Sequence, residues 1–381
     1  MQHFHFGIGI IAYDNPSALS DTVESIALQN LGENISLKIV VARNSDSISE
    51  AAIREAFAGC TENLSFIDIS AYHDSNVMRC EALSALAEAF PNEANWVWTL
   101  EAGDRLWQAD SIQLLATELQ NRKYFDSAAV HLCDATRSFD SGHTEQKNIG
   151  QLCEMFGYLE IVGRISSLVL RPQHFKFAFS KHLKQTATAA RQNEIWVSHH
   201  THSQFLFLAM SKSQASMLDL KIIDQATGEN WAAPQSSNAW FNIARELIEL
   251  GVTIGDDEKW RPHFFRYGTI SLFSELVRQQ GVCAEQFTEE LTNDSTEMLH
   301  FLDQWQVILS LADYLDHEKA RDIIHNVVTE GIRLTLDFLQ SEHKSTNGFE
   351  AFFKKQSKQI HTYPKTLLPA EHIAQLMQKS A

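Results

Sequence analysis

The first third of the chain repeats one pattern: a short apolar run, a polar break, then a stretch with apolar residues at helical spacing. Residues 4–12 (FHFGIGIIA) form the first such run and read as a strand buried on both faces near its end. Pro16 stops that strand and suits the start of a helix over residues 17–29, with Leu19, Val23, Ile26 and Ala27 on one face. The alternation continues with strands at 37–41 and 64–69 and helices at 49–58 and 76–90. A fourth strand follows at 96–100 (WVWTL), bounded by Pro91 and Asn92 before it and by Ala102 and Gly103 after it. A helix over 109–120 and a fifth strand over 125–133 complete the series. Strands alternating with helices predict a mostly parallel sheet covered on both faces, a doubly wound, Rossmann-like α/β architecture.

Beyond residue 135 the pattern loosens. Residues 136–150 (TRSFDSGHTEQKNIG) are polar and read as a surface loop, one that could cover a ligand or do nothing more than connect. A short helix is expected over 153–162, a strand over 164–170, an apolar helix over 203–211 and a final edge strand over 218–223. Residues 226–238 (ATGENWAAPQSSN), rich in small and turn-forming types, mark a domain boundary. After it the signal is helical only, at about 240–250, 264–280, 295–315, 318–340 and 348–359. This divides the chain into an α/β domain over 1–225 and an all-helical C-terminal domain over 239–381.

Composition narrows the function. A length of 381 residues fits two or three domains of roughly 100–200 residues each. A net charge of −17 argues against nucleic acid as a partner, because phosphate backbones need a basic surface. Five scattered cysteines without a close metal-ligand spacing read as reduced, mostly buried thiols, and no signal peptide or spanning segment is evident. The expectation is a cytoplasmic protein. Lys354, Lys355, Lys358 and Lys365, interleaved with Phe352, Phe353 and Tyr363, are either a solvated face or a point of peripheral contact at the inner face of a membrane.

Two places carry candidate chemistry. Glu101 and Asp104 lie just past the carboxyl end of the fourth strand, where open α/β sheets bind ligands. Carboxylates there can hold a divalent cation, Mg²⁺ or Mn²⁺, that in turn carries phosphates; two solvated acids in a turn is the plainer alternative. The second place is residues 193–205, where Glu194, His200 and His202 offer a general base, while His199, His200 and His202 are too closely spaced to be strong evidence for zinc. There is no G-x-G-x-x-G after the first strand and no P-loop motif.

The segments IIAYDNPSALSDTVESIALQN, IVVARNSDS, NVMRCEAL and TLEAGDRLW, in that order, resemble the family 2 glycosyltransferases. IIAYDNPSALSDTVESIALQN resembles that family's opening strand, Tyr-x-Asn/Arg-Pro turn and helix with a closing Gln. IVVARNSDS stands where the family has a strand ending in Asp-Asn-x-Ser, NVMRCEAL where it has Asn-x-Gly-x-x-x-Ala-Arg-Asn, and TLEAGDRLW where it has Leu-Asp-x-Asp-Asp-x-Leu. The resemblance covers roughly residues 4–135 and implies a GT-A-like fold and a nucleotide-sugar donor. It assigns Tyr13, Asp14, Asn15, Arg43, Asn44, Arg79 and Glu101 to the nucleotide pocket or its neighbourhood, Glu101 and Asp104 to diphosphate or metal, and an Arg after residues 164–170 to the acceptor side. The departures are Ala42 in place of a base-contacting Asp and Glu101-x-Gly103 in place of Asp-x-Asp.

The function these features favour is sugar transfer, inverting, from a nucleotide sugar such as a UDP-sugar to a saccharide or glycolipid acceptor in surface-polysaccharide or glycan assembly. A nucleotidyltransferase is a weaker alternative, since the Gly/Lys/Arg-rich loop after the first strand is missing. A transferase-like scaffold without turnover is the third reading, favoured by Ala42 and Gly103.

Overall fold

A computed structural model describes residues 3–225 apart from 14, 58–62, 71, 73, 91–93, 123–124, 133–146, 193, 195–196 and 198–199, together with the single positions 244 and 276. The chain separates into two compact units, Met1–Trp231 and Ala232–Ala381. The helices expected after residue 239 and the basic-aromatic segment near residue 355 lie outside the described residues.

The first unit is built on strands β1 (Phe4–Ala12), β2 (Ile35–Asn44), β3 (Leu64–Ile69) and β4 (Trp96–Glu101), all mutually parallel, in the order β3-β2-β1-β4. The connections are helices α1 (Pro16–Ala27), α2 (Glu50–Ala56) and α3 (Ser75–Ala89). The chain moves outward from β1 to β3, then α3 returns it across the sheet to β4. α1 and α2 pack together on one face of the sheet, and α3 lies on the other, the arrangement that right-handed crossovers favour. The strand order therefore reverses between β1 and β4, the position where such sheets leave a crevice at their carboxyl ends.

The remaining elements extend the sheet past β4. They are β5 (Asp104–Leu106), α4 (Ser111–Gln120), β6 (Ser127–Leu132), β7 (Lys147–Asn148), α5 (Ile149–Phe156), α6 (Tyr158–Ile161), β8 (Leu168–Leu170), α7 (Pro172–Phe179), α8 (Lys181–Arg191), α9 (Thr201–Met210) and β9 (Gln214–Gln225). Among the described residues the sheet has nine strands in the order β3-β2-β1-β4-β8-β6-β9-β5, with β7 also on β9. β8 runs antiparallel to both β4 and β6, and β5 and β7 run antiparallel to β9. The sheet is thus mixed and mostly parallel, with helices on its flanks.

Local sequence explains the main elements. Asn15 caps α1 by accepting the Ala18 amide at 3.0 Å, and Pro16 occupies the first turn, where its missing N–H costs nothing. Asp74 caps α3 through the Asn76 amide at 2.8 Å. Phe4, Phe6, Ile8 and Ile10 of β1 share one core with Leu19, Val23 and Ile26 of α1, Trp96, Trp98 and Leu100 of β4, and Ile112 and Leu115 of α4. The opposite face of β1 carries Gly7 and Gly9, and α3 rests directly on them. A Cβ at Gly7 would stand 2.8 Å from the Phe90 ring, and one at Gly9 would stand 3.0 Å from Leu86.

Several expectations are corrected. Residues 164–170 are only half strand: Ile165–Ser167 form a 3₁₀ turn that positions the Ser166 carbonyl to accept from Trp98 Nε1 at 2.9 Å. The strand expected over 218–223 is longer and is not an edge, since β6, β5 and β7 all pair with it. Residues 147–150, read as part of a loop, hold β7 and the start of α5. β5 and β7, at three and two residues, are too short to show a period. Cys80 and Cys153 are buried and in no disulfide; Cys60, Cys133 and Cys283 lie outside the described residues. No helix among the described residues is long and apolar enough to cross a membrane.

The close contact between α3 and β1 makes a prediction. Gly7→Val should lower stability by about 1–3 kcal/mol through overpacking, and Phe90→Leu in the same chain should recover part of the loss. Urea unfolding of the two single variants and the double variant measures the coupling.

Candidate active site

The turn after β4 is held from three sides. The Ala102 amide donates to the Ile11 carbonyl at 2.9 Å, the Gly103 amide to Thr22 Oγ1 at 2.8 Å, and the Glu101 amide to Asp104 Oδ2 at 2.9 Å. Gly103 has a φ of 109°, outside the range that side-chain-bearing residues adopt readily. The result is a tight turn that leaves the Glu101 side chain 34% exposed and folds Asp104 inward to 9% exposure.

α3 delivers Arg79 to this turn. Its Nε donates to Glu101 Oε1 at 2.8 Å and lies 3.1 Å from Tyr13 Oη, and its Nη2 reaches the same carboxylate oxygen at 2.7 Å. The guanidinium carbon lies 5.9 Å from the centre of the Tyr13 ring. Burial would weaken the guanidinium's hold on its proton, but the Glu101 charge and then Tyr13 outweigh it, so Arg79 is more firmly protonated than usual. Burial pushes the Tyr13 hydroxyl above its ordinary value, against the opposing pull of Arg79. Tyr13, Arg79 and Glu101 thus form one hydrogen-bonded group at the carboxyl ends of β1 and β4.

Two further titrating groups adjoin it. The Asp104 carboxyl is pushed up to about 7, by burial first and the Glu101 charge second, against the Glu101 amide, the Ser166 hydroxyl and the Arg164 charge. The His200 imidazole is pushed down to about 3, by burial first and then by the Arg79 and Arg164 charges, against a hydrogen bond to the Gly163 backbone. His200 is therefore neutral near pH 7, and the segment 163–166 joins the turn to His200.

The other sequence candidates fall in different places. His202 is buried, 3.2 Å from Ser203 Oγ through its Nε2, and lines an apolar crevice with Leu83, Thr99, Phe175 and Leu206. Its ring centre is 6.1 Å from that of His200. Glu194 is exposed, just after α8, with its amide on the Ala189 carbonyl. Arg43 pairs with Asp68 at 3.0 Å and Glu50 at 3.6 Å, tying β2 to β3 and to α2. Asn44 shapes the following turn through Ser47 and the Asp46 amide. Asn15 caps α1, and Asp14 lies outside the described residues. Arg171, at the position the resemblance gives to the acceptor side, instead stacks 3.9 Å over Trp96 and donates to the Asn95 carbonyl at the opposite end of β4 from Glu101. The antiparallel direction of β8 puts it there. Sequence reasoning missed Thr22, Arg164 and Ser166. Thr22 looks like a helix core position, and the other two sit in a segment that reads as plain strand.

No family model and no curated protein sequence matches this chain. Among solved structures, it is similar to S. aureus TarS 1-349 in complex with UDP-GlcNAc, at 10% identity and a TM-score of 0.45, over 96% of this chain and 93% of that one. A longer S. aureus TarS chain aligns at 11% identity and a TM-score of 0.44, over 92% of this chain but only 55% of that one. The mannosyltransferase PcManGT from Pyrobaculum calidifontis, in complex with GDP-Man and Mn²⁺, aligns at 10% identity and a TM-score of 0.43, over 86% and 80% of the two chains. At these scores the likeness carries no weight in assigning the site.

Asp104 gives the site a pH signature. Its native pKa of about 7 lies above the ordinary 3.8, so between these values the native state holds the proton more tightly than the unfolded chain does. Stability contributed here is present at low pH and is lost as pH rises through the window, a span equivalent to about 4 kcal/mol. In EDTA, Asp104→Asn, which cannot ionise, should gain on the parent by up to that amount between about pH 4 and pH 8, read by urea unfolding. A constant difference across this range would contradict the assignment.

Proposed function

We propose that the chain transfers a sugar from a nucleotide-activated donor to a saccharide acceptor, with inversion at the anomeric carbon and a UDP-sugar as the first donor to test. The observation that supports this most is the meeting of Tyr13, Arg79 and Glu101 at the point where strand order reverses. These residues come from three of the four segments whose order resembles the family 2 glycosyltransferases.

In this reading the GT-A-like domain spans residues 1–225 and holds the donor. Tyr13 borders the nucleotide, Glu101 accepts hydrogen bonds from donor hydroxyls, and the Arg79 and Arg164 charges face the diphosphate. Departure of a nucleoside diphosphate concentrates negative charge at the scissile oxygen, and preorganised cations there stabilise the transition state. The acceptor hydroxyl attacks from the opposite face and gives its proton to a base. His200 is the base closest in structure to this group, with His202 and Glu194 behind it. The imidazole is a weak base because burial depresses it first and the Arg79 and Arg164 charges depress it further. Diphosphate bound beside these two cations offsets their charge and removes that part of the depression, so the base strengthens once donor is in place.

A binding module without turnover is favoured by one observation, the glycine at position 103 where the resembled family has an acid. Both readings predict nucleotide binding, and only the first predicts turnover.

A thermal-shift panel of UDP, GDP, CDP and their sugar conjugates tests the binding. One nucleotide should raise the melting temperature selectively, and Tyr13→Ala should reduce that shift. Release of nucleoside diphosphate from the matching nucleotide sugar should fall at least about 100-fold in His200→Ala, the range expected for loss of a general base. A shift without release supports the binding module. No shift with any nucleotide, from a folded sample, contradicts both.

A further inference from the structure

The resembled family carries an Asp-x-Asp at the turn after the fourth strand, and with it a divalent cation. The residues of this chain do not fit such an ion. Gly103 occupies the place of the second acid at a φ of 109°, so the missing carboxylate is tied to the path of the backbone. Glu101 Oε1 already receives Nε and Nη2 of Arg79, at 2.8 and 2.7 Å. Asp104 turns inward, its Oδ2 accepting the Glu101 amide at 2.9 Å. The number of carboxylates alone does not decide the matter, because Mg²⁺ is often held by one or two of them together with substrate phosphates. What decides it is that the exposed carboxylate is matched by a guanidinium and the other is turned away. Among the described residues no group of three or more His, Cys, Asp or Glu is placed to hold a metal.

We infer that the charge balance a divalent cation would supply at this turn is built into the chain, with Arg79 cancelling the Glu101 charge and Arg164 supplying the positive charge for an anionic ligand, so that a nucleoside diphosphate binds here without metal. The inference rests on the donor-binding reading above. Arg79, only 7% exposed, cancels the Glu101 charge that would otherwise repel a diphosphate. Arg164 is partly exposed and lies two residues before Ser166, which meets Asp104. Guanidinium groups suit this task because they stay charged and offer paired N–H donors to phosphate oxygens.

The test uses the full chain and isothermal titration with UDP and with GDP, in Mn²⁺ and in EDTA. The nucleotide that binds should do so with affinities within about twofold of each other in the two buffers. Arg164→Gln should weaken it about tenfold or more in both, and Arg164→Lys, which keeps the positive charge, should weaken it less. Mn²⁺ titrated alone, followed by the paramagnetic resonance of the free ion, should show no loss of signal. Binding about tenfold tighter in Mn²⁺, with that gain abolished by Glu101→Gln, would overturn the inference and leave the donor-binding reading intact. Parent-like affinity in Arg164→Gln would overturn it as well. No binding of either nucleotide in either buffer would overturn both.

Discussion

Arg79 is a buried cation paired with the Glu101 carboxylate, and the site depends on that pairing. A guanidinium removed from water needs an opposite charge and good hydrogen-bond geometry, or the fold loses heavily. Glu101 supplies both, and Tyr13 adds an oxygen on the same Nε. The three residues come from the ends of β1 and β4 and from the first turn and a half of α3. Satisfying Arg79 therefore fixes those three elements relative to one another at the crevice.

Helix packing brings Arg79 to that point. Gly7 and Gly9 let α3 lie against β1 through Phe90 and Leu86. From Phe90 back to Arg79 the helix rises roughly 16 Å at 1.5 Å per residue. From Gly7 forward to Tyr13 the strand rises roughly 20 Å at 3.3 Å per residue. The two lengths are close enough that a helix seated over the glycines carries Arg79 to the carboxyl end of the strand. Small residues near one end of the sheet thus serve a charged group at the other. The same crevice receives Asp104, which burial holds partly protonated, and His200, which burial first and two nearby cations second hold neutral. Its chemistry is set by arginine charge on one side and by buried, proton-sensitive groups on the other.

Much of this was legible in the sequence, and the gaps have physical causes. The four parallel strands could be read as short apolar runs set off by polar or turn-forming flanks, and the helices between them by the spacing of their apolar residues. The resemblance put Tyr13, Arg79 and Glu101 in one neighbourhood, but their hydrogen bonds depend on how α3 seats on the sheet, which no motif gives. Arg43 carried an equally suggestive position, but its chemistry is taken up by Asp68, which the pairing of β2 with β3 brings near, and by Glu50 at the start of α2. Arg171 could not be placed without knowing that β8 runs antiparallel, which sends its end to the far side of the sheet. Arg164 and Ser166 were hidden because a 3₁₀ turn of three residues leaves no periodic trace. The departure at Gly103 was visible in the sequence. Its cause, a backbone angle unsuited to an acid, was not.

The central claim is that the nucleotide sits at the carboxyl ends of β1 and β4, against Tyr13, Arg79 and Glu101. Amide hydrogen exchange with and without saturating UDP or GDP tests it most directly, since bound ligand slows local opening where it contacts the chain. The account predicts protection concentrated in residues 11–22, 75–80 and 101–106, with weaker protection at 163–167. Protection confined to other parts of the chain, with these segments exchanging as in the free protein, would contradict it.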